Sequence, residues 1–361
     1  MSVELEGRVR GSLLGGALGD ALGAPIEFMR IDEIRARHGS GGLRQLVSSY
    51  GHVGAITDDT QMTLFTAEGM LRAHNRFLGK GMADIPAVVW HAYLRWLLTQ
   101  GETPADERFV EGSEPWPDGW LITVPELHAR RAPGNTCLSA LKGARPGSVD
   151  EPINDSKGCG AVMRAAPIGM LGLADPFKSG CQIGALTHGH PSGYLTSGYL
   201  AQLISALILG ADLKDAAGVT LERLRLEPDA DESASAVETA ITLASQGRPS
   251  AERVALLGEG WVAEEALAIA LYCALVADDP FEAIVLAANH SGDTDSTAAI
   301  TGNIVGAAYG GEALPGDMLE QLELREVIEQ MAADMVRHHE PYESNHPFDV
   351  EIPDWDRYPG W

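Results

Sequence analysis

The sequence predicts an all-α fold, a compact single-domain bundle of many helices with a polar site where helix ends cluster. Three observations favour this class. Long segments place apolar residues at helical spacing, and the period-two alternation typical of strands is scarce. No period of about 20 to 50 residues repeats, which argues against a solenoid. The 361 residues would allow two domains, but no linker divides them, so we expect one domain over residues 1–361.

The charge and the cysteine content exclude several classes of protein. The 26 basic and 51 acidic side chains give a formal charge of −25, which argues against a broad nucleic-acid or anionic-membrane surface. The four cysteines form no CxxC pair, so neither a zinc knuckle nor a disulfide framework is predicted. No apolar stretch approaches ~18 residues, and acidic residues interrupt the start. We therefore expect a cytoplasmic protein without a membrane segment.

Glycines at every fourth position mark two helices, one at residues 8–24 and one that includes residues 302–310. The glycines with this spacing are Gly11, Gly15, Gly19, Gly23, Gly302, Gly306 and Gly310. On a helix they form one ridge without side chains. Each glycine lowers helix stability by roughly 1 kcal/mol relative to alanine. Close contact between helices would offset this loss. We predict that the two helices lie against each other in the centre of the molecule.

The remaining elements follow in chain order. Pro25 ends the first helix, because proline disfavours a helical conformation in the preceding residue, and it leaves Glu27 just beyond a buried helix. The other predicted segments are a glycine-rich loop within 33–54, helices at 60–75 and 84–99, a surface excursion at 101–134, a short helix from 135, a helix at 192–210, a peripheral acidic segment at 212–260, a helix at 262–277 and an extended aromatic tail at about 340–361.

Two acidic motifs each precede a helical pattern. Residues 291–297 hold two aspartates one residue apart, and residues 57–60 hold two adjacent aspartates, with hydroxyls beside both pairs. Such hard oxygen ligands suit Mg²⁺ or Mn²⁺. The alternative is that both motifs only cap helices, as Asp58 with Gln61 would in a capping box. Four like charges in one place call for a neutralising cation, so we favour one metal site built from both motifs.

A third motif, at residues 154–164, is a turn with two glycines, a serine and a lysine that runs into a helix. Such a turn presents backbone N–H groups that can cradle a phosphate, and it adds local positive potential to an acidic chain.

Farther on, His188 and His190 have a spacing that invites a zinc interpretation. The hard-ligand motifs hold no thiolate, so we favour His188 as a residue that hydrogen-bonds a ligand.

Together these pieces resemble the ADP-ribosylglycohydrolase family, which includes the dinitrogenase reductase-activating glycohydrolases and the ADP-ribosylarginine and ADP-ribosylserine hydrolases. The matching motifs, which occur in family order and span most of the chain, are residues 15–23 with Glu27, 57–60, 158–164, 187–188 and 292–296. Each motif is short, but five in one order are a specific signal.

The resemblance implies an all-α fold that holds two Mg²⁺ or Mn²⁺ ions. The implied ligands are Thr57, Asp58, Asp59, Asp293, Asp295 and Ser296, with Asp295 bridging both ions. Ser296 stands where many members have threonine, and it keeps the hydroxyl. Glu27 becomes a candidate acid/base or gating residue near the second ion. Asp293 is a second candidate for the catalytic base, and the choice between the two stays open.

The resemblance also implies a pocket for ADP-ribose. The implied substrate-binding residues are Ser156, Gly158, Cys159, Gly160 and Met163 for the diphosphate, with His188 lining the pocket. Cleavage at the distal ribose C1″ develops positive charge on the sugar and requires protonation of the leaving group. Two cations would fix the ribose hydroxyls and lower the pKa of a water, whose proton Glu27 or Asp293 would take.

The implied activity is release of ADP-ribose from a modified side chain, with arginine favoured. The partner is then an ADP-ribosylated protein, although an ADP-ribose-containing small molecule stays open. Two alternatives differ in class. A non-catalytic ADP-ribose-binding or crystallin-like relative would keep the fold and lose the ligands, whereas all six ligand positions are present here. A dinuclear-metal phosphoesterase would share the carboxylates but would show more histidine ligands.

Overall fold

Two helices in direct backbone contact, at Val3–Gly23 and Thr294–Tyr309, form the centre of the molecule. A computed structural model describes residues 3–105, 118–339 and 352–360. Its α-helices, numbered α1 to α15 in chain order, are Val3–Gly23, Ile31–His38, Asp58–Lys80, Ile85–Thr99, Asn135–Leu141, Pro176–Ala185, Pro191–Ile208, Leu213–Leu224, Asp231–Ser245, Ala251–Val254, Ala263–Val276, Pro280–Ala288, Thr294–Tyr309, Gly316–Leu319 and Arg325–Arg337. The predicted all-α fold class is confirmed. None of the described helices has the length and apolar character needed to cross a membrane.

The glycine ridges of α1 and α13 face each other, as predicted. A Cβ added to Gly302 would lie 1.9 Å from the carbonyl oxygen of Gly15, and one added to Gly306 would lie 2.0 Å from that of Gly11. The contact is therefore between backbones, and a side chain on either ridge would prevent it. Reciprocal hydrogen bonds stabilise the pair, since Ser12 Oγ donates to the Asn303 carbonyl and Asn303 Nδ2 donates to the Ser12 carbonyl.

This antiparallel contact positions two chain segments at one end of the pair. Gly23 at the end of α1 lies against the first turn of α13, and Thr294 Oγ1 donates to the Gly23 carbonyl at 3.0 Å. The short 3₁₀ turn Ala24–Ile26 then leads the chain to Glu27. Glu27, which follows the glycine ridge of α1, is thus a neighbour of the residues that precede the glycine ridge of α13.

The other helices surround this pair. Helices α11 and α12 pack against α13, α15 packs against α1, and α3 packs against α4. Buried apolar side chains from Val9 in α1 to Tyr358 near the C-terminus form one connected cluster. Short 3₁₀ turns lie at Leu121–Thr123, Pro125–His128, Cys159–Ala161, Ala166–Met170 and Gly311–Ala313.

Three segments differ from the expectation or refine it. The predicted loop at 33–54 contains the end of α2 and a two-stranded antiparallel hairpin, β1 Ser48–Ser49 and β2 His52–Val53. The 212–260 segment is not peripheral, because its helices α8 and α9 contribute buried side chains to the core. Its high content of alanine and acidic residues hid the narrow apolar faces that these helices bury.

The predicted tail at 340–361 is described only at residues 352–360. There Tyr358 is fully buried, and its hydroxyl donates to Asp334 of α15 at 2.6 Å. Asn75 of α3 donates to the Tyr358 carbonyl at 2.8 Å. Tyr358 therefore links α3 to α15 through hydrogen bonds to both helices.

Substitution of Gly302 by alanine tests the backbone contact. Because the new Cβ would lie within 2 Å of a carbonyl oxygen, Gly302→Ala should lower the free energy of unfolding by about 3 kcal/mol or more. Gly7→Ala, on α1 with no atom near its added Cβ, should raise it by roughly 0.5 to 1 kcal/mol. Urea denaturation followed by circular dichroism measures both. Equal effects of the two substitutions would contradict the assigned contact.

Candidate active site

Carboxylates from three segments converge at the end of the α1–α13 pair. Glu27 follows the turn after α1, Asp58 and Asp59 begin α3, and Asp293 and Asp295 stand at the start of α13. All five side chains are buried and line the same cleft. Oxygen atoms of Glu27, Asp293 and Asp295 lie within 4.8 Å of one another. The fold thus brings the two acidic motifs of the sequence together, with Glu27 beside them.

A sixth carboxylate, that of Asp20, holds the first acidic motif in place. Asp20 lies on the buried length of α1 and accepts from the backbone N–H of Thr57 at 2.9 Å and of Thr60 at 3.1 Å. It also accepts from the hydroxyls of both threonines, at 2.8 and 2.5 Å. The start of α3 is therefore attached to α1. Sequence reasoning gave Asp20 no role, although an acidic residue inside a glycine ridge is a signal that could have identified it.

Helix capping does not account for the aspartates. Thr57, not Asp58, caps α3, because its Oγ1 accepts from the Asp59 N–H at 3.3 Å. Asp58 instead accepts from the Gly134 N–H at 3.1 Å, on a distant loop. The Asp293 side chain makes no capping hydrogen bond to α13. The carboxylates are directed towards one another and towards the cleft.

Burial and mutual repulsion raise the pKa values of four carboxyl groups in the cluster, those of Glu27, Asp58, Asp59 and Asp295. Burial, followed by repulsion from Asp293 and Asp58, raises the pKa of Glu27 to about 8. Burial likewise raises the pKa of Asp58 to about 8, against the Gly134 hydrogen bond that lowers it. Burial and neighbouring carboxylates raise the pKa values of Asp59 and Asp295 well above the ordinary range. A positive charge at the cluster would lower all of these pKa values.

The donor set fits divalent cations. Asp59 Oδ1 and Glu27 Oε2 are buried without a hydrogen-bond partner among the described residues. Unpaired buried oxygens are costly, and here they accompany four further carboxylates and the hydroxyl of Ser296. A cluster of hard oxygen atoms with unused lone pairs and like charge is the chemistry that Mg²⁺ and Mn²⁺ neutralise.

The cleft beside this cluster has a volume of about 330 Å³. The residues predicted for the site that line it are Glu27, Asp58, Asp59, Gly158, Cys159, Gly160, Met163, His188, Asp293, Asp295 and Ser296. Thr57 and Ser156 are not among the lining residues. The Thr57 hydroxyl is engaged by Asp20, and the Ser156 hydroxyl bonds to that of Thr136, which does line the cleft.

The glycine-rich turn reaches the acidic cluster through Cys159. Its Sγ donates to Asp293 Oδ2 at 2.8 Å and lies 3.6 Å from Ser296 Oγ. Two backbone contacts hold the turn against the start of α11. Gly158 forms an antiparallel bridge with Val262, and the Ala263 N–H donates to the Lys157 carbonyl. The predicted phosphate-binding turn and the predicted metal motif therefore form two walls of one cleft.

His188, which also lines the cleft, is kept neutral. Burial and the nearby Arg164 lower its pKa to about 3. Arg164 donates to Thr187 Oγ1 at 2.6 Å, and Thr187 Oγ1 lies 2.8 Å from His188 Nδ1. Because the threonine hydroxyl accepts from the arginine, its own proton is available to Nδ1, which leaves Nε2 to carry the ring proton. Nε2 lies beside Gly158 and Gly160 and can donate to a ligand there.

Two aromatic side chains that sequence reasoning missed also line the cleft. Phe28, next to Glu27, and Trp261, before α11, stack with their ring centroids 5.8 Å apart and an interplanar angle of 16°. Phe28 is 76% exposed and Trp261 40% exposed. No pattern in the sequence connects the two residues, because they meet only through the fold.

The all-α fold and the buried carboxylate cluster beside a cleft define a helical protein with a centre suited to divalent cations. Residues 1–345 match the family model described as ADP-ribosylglycohydrolase, and the chain belongs to that family. The resemblance found in the sequence is thereby confirmed. Enzymes of this family hydrolyse a glycosidic bond, and this protein is an enzyme of that class.

The chain is similar to two curated relatives with named activities. It is 26% identical over 334 residues to the ADP-ribosylarginine hydrolase Tri1 of Serratia proteamaculans, covering 90% of this chain and 78% of the relative. It is also 26% identical over 347 residues to the ADP-ribosyl-[dinitrogen reductase] glycohydrolase of Rhodospirillum rubrum, covering 90% and 95%. A solved ADP-ribosylglycohydrolase-related protein complex superposes with a TM-score of 0.58 at 26% identity, covering 93% of this chain and 99% of that one.

Thermal unfolding with and without divalent cations tests the acidic cluster. Mn²⁺ or Mg²⁺ at a hundredfold excess over its Kd should stabilise the wild type by about 2.7 kcal/mol. Asp59→Asn should raise the melting temperature of the cation-free protein, because it removes a buried, repelled charge. The same substitution should abolish the response to the cation.

The exposed Asp317 provides the matched control. Asp317→Asn should leave both the cation-free melting temperature and the response to Mn²⁺ unchanged. A wild-type response that persists in Asp59→Asn would place cation binding elsewhere.

Proposed function

We propose that the protein hydrolyses the bond between the distal ribose of ADP-ribose and an arginine side chain, and that it uses two Mg²⁺ or Mn²⁺ ions. The observation that carries the proposal is the position of Glu27. Its buried carboxyl, with one oxygen unpaired, lies within 4.8 Å of Asp293 and Asp295 in a cleft lined by the glycine-rich turn. The ADP-ribosylarginine hydrolase of Serratia proteamaculans, whose match covers 90% of this chain, supports the choice of arginine.

The residues that would hold the two cations come from both acidic motifs. They are Asp58, Asp59, Asp293, Asp295 and Ser296, all of which line the cleft. The Thr57 hydroxyl donates its proton to Asp20, so it would join them only through its oxygen lone pair. Bound there, divalent cations supply Lewis acidity to ribose hydroxyls and to a water. Asp20 keeps the first motif in register, because it accepts from both backbone and hydroxyl groups of Thr57 and Thr60.

The chemistry requires two proton movements. The bond between C1″ and the guanidino nitrogen breaks, the nitrogen gains a proton, and a water oxygen bonds to C1″ as it loses one. A buried carboxyl group with one unpaired oxygen, within 4.8 Å of two further carboxylates, is placed to accept a proton and to return it. Glu27 fits this role, and Asp293, which accepts from Cys159 at 2.8 Å, is the second candidate.

The 154–164 turn would bind the diphosphate. Gly158 and Gly160 allow close approach of the backbone, and His188 Nε2 can donate a hydrogen bond without carrying a charge. The Thr136 and Ser156 hydroxyls, paired at 3.0 Å, add polar groups beside the turn. Lys157 of the turn is paired with Glu232 and Glu264, so the local positive potential expected from the sequence is neutralised, and the turn offers mainly neutral donors.

Substitution of Glu27 tests the proton-transfer role. Glu27→Gln should lower the single-turnover rate of ADP-ribose release from an ADP-ribosylarginine peptide by about 100-fold or more. Affinity for ADP-ribose, measured by calorimetry at matched Mg²⁺, should change little. Glu312→Gln, which alters a fully exposed glutamate, is the control. If Glu27→Gln retains the wild-type rate, Asp293 becomes the general base.

Substitution of Gly158 tests the diphosphate turn. A Cβ at Gly158 meets no atom closer than 3.6 Å, so Gly158→Ala should fold with an unchanged melting temperature. It should raise the Kd for ADP-ribose by about tenfold, because the methyl group occupies the line of backbone approach. Gly160→Ala is less informative, since its Cβ would lie 2.9 Å from Cys137 Sγ. Gly218→Ala, on α8 with open space around it, is the control.

A further inference from the structure

The stacked pair of Phe28 and Trp261 has no role in holding cations, ribose or diphosphate as described above. Large aromatic side chains are usually buried, yet Phe28 is 76% exposed and Trp261 40% exposed, and both face the cleft. An exposed aromatic pair beside a carboxylate cluster is an apolar, electron-rich surface in a region of negative potential. That combination suits a flat cation.

The turn that carries Trp261 is held rigidly beside the cluster. The Glu265 carboxylate accepts from the N–H groups of Glu259 and Gly260 at 3.0 and 3.1 Å. The Asp293 N–H donates to the Glu259 carbonyl at 2.8 Å. Trp261 is therefore positioned by the same hydrogen bonds that fix the backbone of Asp293.

Hydrogen bonds also fix the backbone around Phe28. It directly follows Glu27, and the Met29 N–H donates to the Ile26 carbonyl at 2.9 Å to close the turn. The Ile31 N–H donates to Ser291 Oγ at 3.0 Å, two residues before Asp293. Phe28 is thus next in sequence to Glu27 of the cluster, and Trp261 is next to the Glu259–Gly260 segment that bonds the backbone of Asp293.

We propose that Phe28 and Trp261 bind the planar guanidinium of the modified arginine and so determine the side chain from which ADP-ribose is released. This inference rests on the proposed function, because it assumes that the distal ribose occupies the acidic cluster. The guanidinium carries its charge in the substrate and leaves from C1″, so it lies next to that cluster. A guanidinium over an aromatic face is attracted by the ring and stays more weakly hydrated than an ammonium.

Charge favours a cationic occupant over the adenine ring. Six carboxylates form the cluster and its anchor, namely Asp20, Glu27, Asp58, Asp59, Asp293 and Asp295. Fully ionised with two divalent cations, they would keep two negative charges. Adenine is neutral and is separated from C1″ by two riboses and a diphosphate, so it lies away from the cluster.

The test compares leaving-group recognition with ADP-ribose binding. Phe28→Leu and Trp261→Leu keep apolar bulk and remove the aromatic faces. Each should lower kcat/KM for an ADP-ribosylarginine peptide by about tenfold. The Kd for free ADP-ribose, which lacks the guanidinium, should change by less than about twofold. Trp261→Phe should restore most of the activity, and Tyr309→Leu, at an exposed aromatic outside the cleft, should have no effect.

The outcomes separate this inference from the proposed function. If the wild type releases no ADP-ribose from arginine peptides, the proposed function fails. If the wild type is active and the leucine variants weaken ADP-ribose binding as much as they lower kcat/KM, the pair binds the adenine ring and the inference is overturned. Unchanged kcat/KM and Kd in both variants would also overturn it. Loss of kcat/KM with retained ADP-ribose affinity supports it.

Discussion

Direct backbone contact between α1 and α13 is the constraint on which the site depends. Helices with ordinary side chains are held about 8 to 10 Å apart, whereas here carbonyl groups of one helix occupy the space where side chains of the other would stand. Because the pair is antiparallel, the end of α1 and the start of α13 meet at one point. Glu27 follows one helix and Asp293 precedes the other, so the close approach sets the distance between them.

The acidic cluster is electrostatically unfavourable, and contacts from the rest of the fold hold it together. Like charges are buried together, and this raises the pKa values of Glu27, Asp58, Asp59 and Asp295. Hydrogen bonds from outside the cluster hold the arrangement, since Thr57 and Thr60 donate to Asp20 and Gly134 donates to Asp58. A chain selected only for stability would not retain such a cluster, which is why its position indicates function.

Features that depend on local pattern could be predicted from the sequence, and features that depend on distant contacts could not. The glycine spacing predicted a helix pair, and the two aspartate motifs predicted a shared centre, because both signals lie within a few consecutive residues. The stacking of Phe28 on Trp261 joins residues far apart in the chain, with no periodicity to connect them. The hairpin at 48–53 escaped prediction because two-residue strands are too short to show alternation.

The chain positions of α1 and α13 also determine when the acidic cluster can assemble during synthesis. Their paired residues Ser12 and Asn303 are 291 positions apart, so most of the polypeptide must leave the ribosome before the two glycine ridges can meet. Contacts between such distant residues are formed late and slowly, since a long intervening segment has to be ordered first. Until then Asp20 and Asp58, in the first part of the chain, lack their neighbours Asp293 and Asp295. A chain without α13 therefore lacks part of the acidic cluster, which is complete only when α13 packs against α1.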